Sequence, residues 1–153
     1  MAVQLNIPCG GTFRSAKNLK ETYQFLADVE TSLPKHFPAL EVFHKQGENT
    51  YRWEFETASF KSVTVDIKFS TLFEFNPDQQ IKFGPSEPGA DTKASGQWTL
   101  VESGGGTDVS FNIEFDVTLD ISRFLKPVLN PIAQQLMQKL YDRYVKNVER
   151  ALA

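Results

Sequence analysis

The chain has 153 residues, of which 41% are hydrophobic and 23% are charged, and its formal net charge is −3. This length and apolar content predict one globular domain over residues 1–153 with a hydrophobic core of its own. Acidic and basic residues are spread along the chain, so no basic stripe is available to neutralise a nucleic-acid backbone. No nucleic-acid partner is therefore expected.

A strand, a helix and a short helical turn are predicted at the start of the chain. Apolar and polar residues alternate over residues 2–13, which is typical of a strand with one buried face. Ser15 can cap a helix over residues 16–30, where apolar residues recur at helical spacing. Pro34 can open a second short helical turn.

The middle of the chain predicts six further strands. Each is a run of alternating apolar and polar residues, and turn signals separate the runs. The predicted strands cover residues 40–46, 50–57, 62–75, 80–83, 93–103 and 107–120. Together with the first strand they form seven antiparallel strands, and the Gly- and Pro-containing segment 84–91 forms an extra loop.

The last part of the chain predicts a long amphipathic helix. From Pro131 onward the apolar residues change from a period of two to a helical period, which places the helix near residues 131–151. Pro127 and Pro131 cannot both stand in a first helical turn, so a short helical piece and a kink are expected before the main helix.

The apolar faces of the strands predict a curved sheet. The chain contains 13 Phe, 4 Tyr and 2 Trp, and many of them share one parity along the strands. A flat sheet of this length would need several helices to cover its aromatic face, whereas the chain offers one long helix. The sheet is therefore expected to curl around that helix, which makes the fold class α+β.

A curved sheet around a single helix can leave a cavity between the two. Residues that point into this space by strand parity or by their place on the helical stripe are the candidate ligand-binding residues. They are Trp53, Phe55, Phe69, Phe73, Trp98, Phe111, Phe115, Met137, Leu140, Tyr141 and Tyr144. The alternative is that the aromatic rings fill the space as a packed core, since protein interiors reach crystal-like density.

Two stretches carry a family resemblance, namely "FRSAKNLKETYQFLADVETSLPKHFP" (13–38) and "GQWTLVESGGGTDVSF" (96–111). The first is similar to the helical segment that follows strand one in the START and pollen-allergen superfamily (SRPBCC), and the second is similar to the last hairpin of that family. The order of elements matches as well, over essentially the whole chain. The resemblance implies the helix-grip fold, in which a seven-stranded antiparallel sheet wraps a long C-terminal helix and two short helices follow strand one.

The resemblance points to the superfamily and to no single member. The glycine-rich loop of the plant allergens is not present, since Gly47 stands alone between strands two and three. The Pro-Gly-Cys pattern of the members that resemble a carbon monoxide dehydrogenase accessory protein is also missing, because the chain reads "FPALEVF" there. Lipid carriers and polyketide cyclases are the functions that the superfamily implies.

Motifs for metal or covalent chemistry are not found. His36 and His44 have no cysteine or carboxylate spacing that would build a metal site, so no metal or other cofactor is expected. By parity with Leu40 and Val42, His44 can face the cavity and exchange a proton there, or it can be a rim or surface histidine. Cys9 is the single cysteine and is expected to be a small buried apolar residue.

A cytoplasmic location is expected from the N-terminus and the cysteine count. The stretch "MAVQLNIPCGG" has neither the positive region nor the apolar run of a secretory signal, and one cysteine cannot form an internal disulfide. No stretch approaches the roughly 18 apolar residues that an integral membrane segment needs.

The entrance to the cavity is expected where the longer connections meet. In an up-and-down order, segments 57–62, 84–92 and 120–126 fall at one end of the sheet, and the tighter turns fall at the other. Arg123 in this group can meet a polar or anionic head group while the tail of the ligand lies along Phe111 and Phe115. An exposed, solvated Arg123 on an ordinary surface loop is the alternative.

The sequence favours a binding function. A soluble carrier or sensor of a small hydrophobic ligand, such as a lipid, isoprenoid, quinone or aromatic polyketide, fits an apolar cavity with a few orienting polar groups. An enzyme of the polyketide cyclase, aromatase or dehydratase type is the alternative, in which a Tyr or His moves protons. A protein-interaction domain with a filled core is a third possibility, and the pattern leaves the oligomeric state open.

Overall fold

The computed structural model describes residues 2–60 and 63–153 and shows a seven-stranded antiparallel sheet with three helices. The strands of this sheet are β1 (Ala2–Ser15), β2 (Leu40–Gly47), β3 (Thr50–Phe55), β6 (Lys68–Asn76), β7 (Gln80–Pro85), β8 (Thr92–Ser103) and β9 (Gly106–Asp120). The short strands β4 (Ala58–Phe60) and β5 (Val63–Val65) form a separate hairpin. The helices are α1 (Leu19–Ala27), α2 (Val29–His36) and α3 (Lys126–Ala151).

Neighbouring strands follow the order β1-β9-β8-β7-β6-β3-β2, so β1 and β2 are the two edges of the sheet. The longest pairing joins β1 to β9 without a register shift, from Ala2 opposite Asp120 to Ser15 opposite Thr107. The inward residues of β9 are buried in strict alternation from Val109 to Val117, as its apolar pattern predicts.

Helix α3 lies along the concave face of the sheet beside β1. Its buried residues recur every three or four positions, which forms one stripe toward the sheet. Gln134 donates from Nε2 to the carbonyl oxygen of Pro8 at 2.6 Å, and the amide of Ala16 donates to the carbonyl oxygen of Leu152 at 3.2 Å. Pro8 precedes Ala16 in the chain as Gln134 precedes Leu152, so these two contacts show that the helix runs in the same direction as β1. The predicted α+β helix-grip architecture is confirmed.

Helix α1 begins later than the sequence predicts. Asn18 is the N-cap, and its side-chain Oδ1 accepts from the amide of Glu21 at 2.8 Å. Ser15, the predicted cap, is instead buried at the end of β1, where its hydroxyl bonds to that of Thr22 at 2.7 Å. The predicted helix over 16–30 is also interrupted at Asp28, which ends α1 and precedes α2.

The predicted strand 62–75 is two strands. β5 ends at Val65 and β6 begins at Lys68, because β5 turns away from the sheet to pair with β4. The predicted loop 57–62 therefore contains a strand, while residues 61 and 62 lie outside the described part of the chain.

Helix α3 begins before Pro131 and continues through it. Residues Arg123–Leu125 form a single 3₁₀ turn, and α3 follows directly at Lys126. Pro127 stands in the first turn, where its missing N–H would have had no helical partner. The expected separate piece is thus the first turn of the same helix.

Candidate functional site

The interior between the sheet and α3 is occupied largely by aromatic rings. Trp98 stacks on Phe111 with ring centroids 4.3 Å apart, and Phe73 stacks on Phe83 at 5.1 Å. Trp53 contacts the ring of Phe69 at 5.2 Å. The rings form one continuous network from β2 to α3, so a large part of the space expected for a cavity is a packed core.

Nine of the predicted site residues belong to this network. They are Trp53, Phe55, Phe69, Phe73, Trp98, Phe111, Phe115, Tyr141 and Tyr144, and all of them are buried. Their strand and helix positions were predicted to face inward, and they do. Whether any of them contacts a ligand stays a prediction.

Buried polar atoms within the network bond to one another. Trp53 donates from Nε1 to the hydroxyl of Thr71 at 2.8 Å, and Tyr141 donates to the carbonyl oxygen of Phe111 at 2.7 Å. Burial raises the pKa of both Tyr141 and Tyr144 well above the ordinary value of a phenol. Both phenols therefore stay protonated, and the Tyr141 hydroxyl has an internal acceptor.

An apolar cavity of about 240 Å³ remains where α3 passes the ends of β3 and β5. Three predicted residues line it, namely Phe55, Met137 and Leu140. The other lining residues are Ala39, Glu56, Thr57, Ala58, Ile67 and Leu136. Aliphatic side chains from the helix form one wall, and the sheet and the β4–β5 hairpin form the other.

The cavity carries its polar groups on one side. Thr57 donates from Oγ1 to Oδ1 of Asp66 at 2.6 Å, and Glu56 places an exposed carboxylate beside it. The backbone there is held by the amide of Glu56, which donates to the carbonyl oxygen of Ala39 at 2.8 Å. Ala39 has a φ of 67°, and this left-handed turn brings the segment before β2 against the end of β3.

This cavity lies at the end of the sheet where the entrance was predicted. Of the three segments named for the entrance, 57–62 contributes Thr57 and Ala58 to the lining, and the other two contribute none. Arg123 lies on the exposed 3₁₀ turn before α3 and is not among the lining residues. Its predicted contact with a head group remains a prediction.

A larger depression of about 600 Å³ lies on the outer face of the sheet, over β6 and β7. Exposed residues such as Leu72, Glu74 and Lys82 line it, and solvent reaches it freely. Ligand sites in proteins are concave and bury most of the ligand. The smaller cavity beneath α3 therefore fits a ligand site better than this outer groove.

The histidines lie away from the cavity. A register shift between Leu40 and Val42 turns Phe43 toward Trp53 and leaves His44 exposed. Of the two interpretations of His44, the surface position is therefore correct and the position facing the cavity is wrong. His36 is buried, and its Nδ1 lies 2.8 Å from the carbonyl oxygen of Ser32. In the described part of the chain, no group of three or more His, Cys, Asp or Glu side chains is arranged to hold a metal.

Several lining residues were missed by sequence reasoning. Ile67 and Leu136 carried the right parity and stripe position and could have been included on that signal. Ala39, Glu56 and Ala58 have no such signal, because they reach the cavity through a left-handed turn and a hairpin that leaves the main sheet.

Comparison with known proteins shows similarity in structure. No protein-family model and no curated sequence matches the chain. A START superfamily protein from Mycobacterium smegmatis superposes with a TM-score of 0.68 at 15% identity, over 95% of this chain and 96% of that chain. A protein from Thermus thermophilus superposes with a TM-score of 0.64 at 16% identity, over 95% and 99% of the two chains.

A two-domain protein gives a similar result. The di-domain ARO/CYC protein StfQ of the steffimycin biosynthetic pathway superposes with a TM-score of 0.62 at 12% identity, over 97% of this chain and 51% of that chain. The chain thus shares the fold of these proteins, which is the helix-grip fold that the resemblance of the two sequence stretches implied. No helix in the described residues is both long and apolar enough to cross a membrane.

Proposed function

We propose that this protein binds a small hydrophobic molecule in the cavity between α3 and the ends of β3 and β5. The observation that carries the proposal is an apolar space of about 240 Å³ beneath the helix, lined by Phe55, Ile67 and Met137 with polar groups on one side. Ligand pockets typically combine an apolar lining with a few orienting polar groups, and their volumes begin near 300 Å³. The cavity accommodates a compact ligand or the end of a longer one.

The shape of the lining supports an adaptable site. Met137, Leu136 and Leu140 come from one face of α3, and unbranched methionine repacks readily around different ligands. Lipids, isoprenoids, quinones and aromatic polyketides remain the ligand classes that suit such a wall. The proteins with the same fold include a START superfamily protein and ARO/CYC proteins, which is compatible with ligands of these classes.

The polar side of the cavity favours a ligand whose polar end is neutral or cationic. Glu56 lines the cavity, and the lining residue Thr57 is hydrogen-bonded to the carboxylate of Asp66. A carboxylate on the ligand would therefore meet like charge. Arg123, on the 3₁₀ turn before α3, would instead favour a ligand with an anionic end. Because Glu56 lines the cavity and Arg123 does not, we infer that neutral and cationic ends bind better.

A cyclase-type enzyme using the same cavity has less support. It would need a general acid or base that faces the ligand. The Tyr141 hydroxyl donates a hydrogen bond to the Phe111 carbonyl oxygen, and the Tyr144 hydroxyl accepts one from Trp98. Burial also raises the pKa of both phenols, so neither is suited to proton transfer near neutral pH. Glu56 is the ionisable residue in the lining, and its exposed carboxylate suits recognition of a head group better than catalysis.

Binding of the neutral dye Nile red tests the site. We expect its fluorescence to rise with the wild-type protein and to rise far less with Ala58→Phe, which adds an aromatic ring to the cavity wall. Val101→Phe adds the same ring at an exposed position of β8, away from the cavity, and should bind like wild type. Equal binding by all three proteins would contradict the placement of the site.

Displacement of the dye tests the polarity of the ligand. We expect decanol and decylamine to displace Nile red about tenfold better than decanoate, a factor that corresponds to about 1.4 kcal/mol. Glu56→Gln should reduce the difference in affinity between decylamine and decanoate. Glu102→Gln, at an exposed position near the C-terminal end of β8, should leave that difference unchanged. A preference for decanoate that Arg123→Ala abolishes would instead support the anionic head group.

A further inference from the structure

The turn between β9 and α3 presents unusual apolar surface. Phe124, in the middle of the 3₁₀ turn, is 90% exposed, and Val128 in the first turn of α3 is 43% exposed. Phe124 is the most exposed of the large apolar side chains in the described chain, and the others outside this turn are single residues on strands. An aromatic residue held in solvent next to a second apolar residue indicates a surface that contacts a partner.

The shape of this turn is fixed by its own backbone and by the helix that follows. The amide of Phe124 donates to the hydroxyl of Ser122 at 3.3 Å, and the amide of Leu125 donates to the Ser122 carbonyl oxygen at 3.0 Å. Pro127 then fixes the first turn of α3. Phe124 is therefore presented by an ordered turn, which reduces the entropy that its insertion into a partner would cost.

Cations stand on both sides of the exposed ring. Arg123 directly precedes Phe124, Lys126 follows two residues after it, and both side chains are exposed. No acidic residue occurs over residues 121–128, and Asp120 lies just before them. Aromatic residues partition to the boundary between water and lipid, and basic side chains keep their charge at the head groups while their stems cover apolar surface.

We propose that residues 122–128 dock on the surface of an anionic lipid bilayer, with Phe124 inserted among the acyl chains and Arg123 and Lys126 at the head groups. A second copy of the chain fits the turn less well. A stable protein interface buries roughly 800 Å² on each partner, whereas one aromatic side chain supplies about 150–250 Å². A single projecting ring therefore suits insertion into a fluid bilayer better than contact with the flat surface of another protein.

The position of the turn relates docking to the cavity. β9 and β3 run in the same direction in the antiparallel order, so the end of β9 at Asp120 and the end of β3 at Phe55 lie at the same end of the sheet. Leu136, the first lining residue of α3, lies ten residues after Lys126, which is about 15 Å along the helix. Docking at this turn therefore brings the cavity end of the molecule toward the bilayer. The docking itself does not depend on the proposed ligand.

A tryptophan probe tests the insertion directly. Trp53 and Trp98 are both fully buried, so their emission should change little when vesicles are added. In Phe124→Trp, the new side chain lies in water, and we expect its emission to shift to shorter wavelength with vesicles of phosphatidylcholine and phosphatidylserine in equal parts. Lipids brominated in their acyl chains should quench it. Absence of both changes would overturn the proposal.

Co-sedimentation with the same vesicles tests the energetic role of the ring. We expect Phe124→Asp to bind about tenfold more weakly than wild type or worse, since it removes the inserted apolar area and adds a repelled charge. Val101→Asp places the same charge at an exposed apolar site on β8 and should bind like wild type. Equal binding by the two variants would overturn the role of Phe124.

Charge and self-association provide the remaining outcomes. Lys126→Glu should weaken binding to vesicles containing phosphatidylserine and have little effect with phosphatidylcholine alone. If sedimentation in the absence of lipid instead shows a dimer that Phe124→Asp dissociates, with no vesicle binding by wild type, a second copy of the chain is the partner and the proposal is wrong. Ala58→Phe should lose Nile red binding and keep vesicle binding. This result would show that membrane docking does not depend on ligand binding in the cavity.

Discussion

The indole Nε1 of Trp98 donates a hydrogen bond to the hydroxyl of Tyr144 at 3.1 Å, and this bond joins strand β8 of the sheet to helix α3. Both residues are fully buried. Tyr144 also contacts the rings of Phe111 and Phe37, at 5.4 and 5.1 Å between centroids. The contact therefore holds the helix against the aromatic face of the sheet at a point where water does not reach.

We expect Tyr144→Phe to destabilise the protein by about 1–3 kcal/mol while the fold is retained, because the Trp98 N–H would lose its acceptor in a buried site. Urea unfolding followed by circular dichroism measures the change. Val101→Ala at an exposed position is the control and should change the free energy of unfolding by less than about 0.5 kcal/mol. No loss in Tyr144→Phe would mean that the indole finds another acceptor.

Stability should fall at alkaline pH. Burial raises the pKa of the Tyr141 and Tyr144 phenols in the folded state, while unfolded tyrosine ionises near about 10. Above that pH the unfolded chain binds fewer protons than the folded chain, so the free energy of unfolding decreases as the pH rises. Urea unfolding at several values between about pH 8 and pH 11 should show the decrease. Tyr141→Phe should make it shallower, and a flat profile in wild type would contradict the assignment.

Cys9 should be unreactive in the folded protein. Its side chain is 4% exposed, and burial together with the charge of Asp142 raises the pKa of the thiol to about 11. Because the thiolate is the reactive form, we expect labelling by a disulfide reagent at pH 8 to be at least about tenfold slower than in urea. Thr12→Cys, at an exposed position of the same strand, is a matched control and should react rapidly. Equal rates for Cys9 in the folded and unfolded protein would show that β1 opens at the sheet edge.

A side chain at Gly96 should destabilise the protein. A Cβ at this position would lie 2.5 Å from the carbonyl oxygen of Asn112 and 2.7 Å from Cζ of Phe83. We expect Gly96→Ala to lower the free energy of unfolding by about 1–3 kcal/mol, as overpacking of a core does. Gly84→Ala is the matched control on neighbouring β7, since a Cβ there meets nothing within 4 Å. A neutral Gly96→Ala would indicate that the Phe83 ring and the Asn112 backbone can both move aside.

The sequence by itself determined the number of strands in the main sheet, the long helix and the direction of their apolar faces, but not the β4–β5 hairpin. The reason is that side chains repeat with a period of two in strands and of 3.6 in helices. The buried faces of β9, from Val109 to Val117, and of α3 can therefore be predicted from local residue spacing. The resemblance of residues 13–38 and 96–111 to one superfamily added the order in which these elements assemble.

Only the tertiary structure decided how much of the interior is filled and where space remains. Ring packing such as that of Trp98 on Phe111 depends on side-chain rotamers and on the curvature of the sheet, which no local pattern encodes. The exposure of His44 depends on one register shift in β2, because a shift of one residue exchanges the two faces of a strand. The cavity lies where β4 and β5 pair with each other outside the main sheet, and the continuous alternation of residues 62–75 gave no sign of that departure.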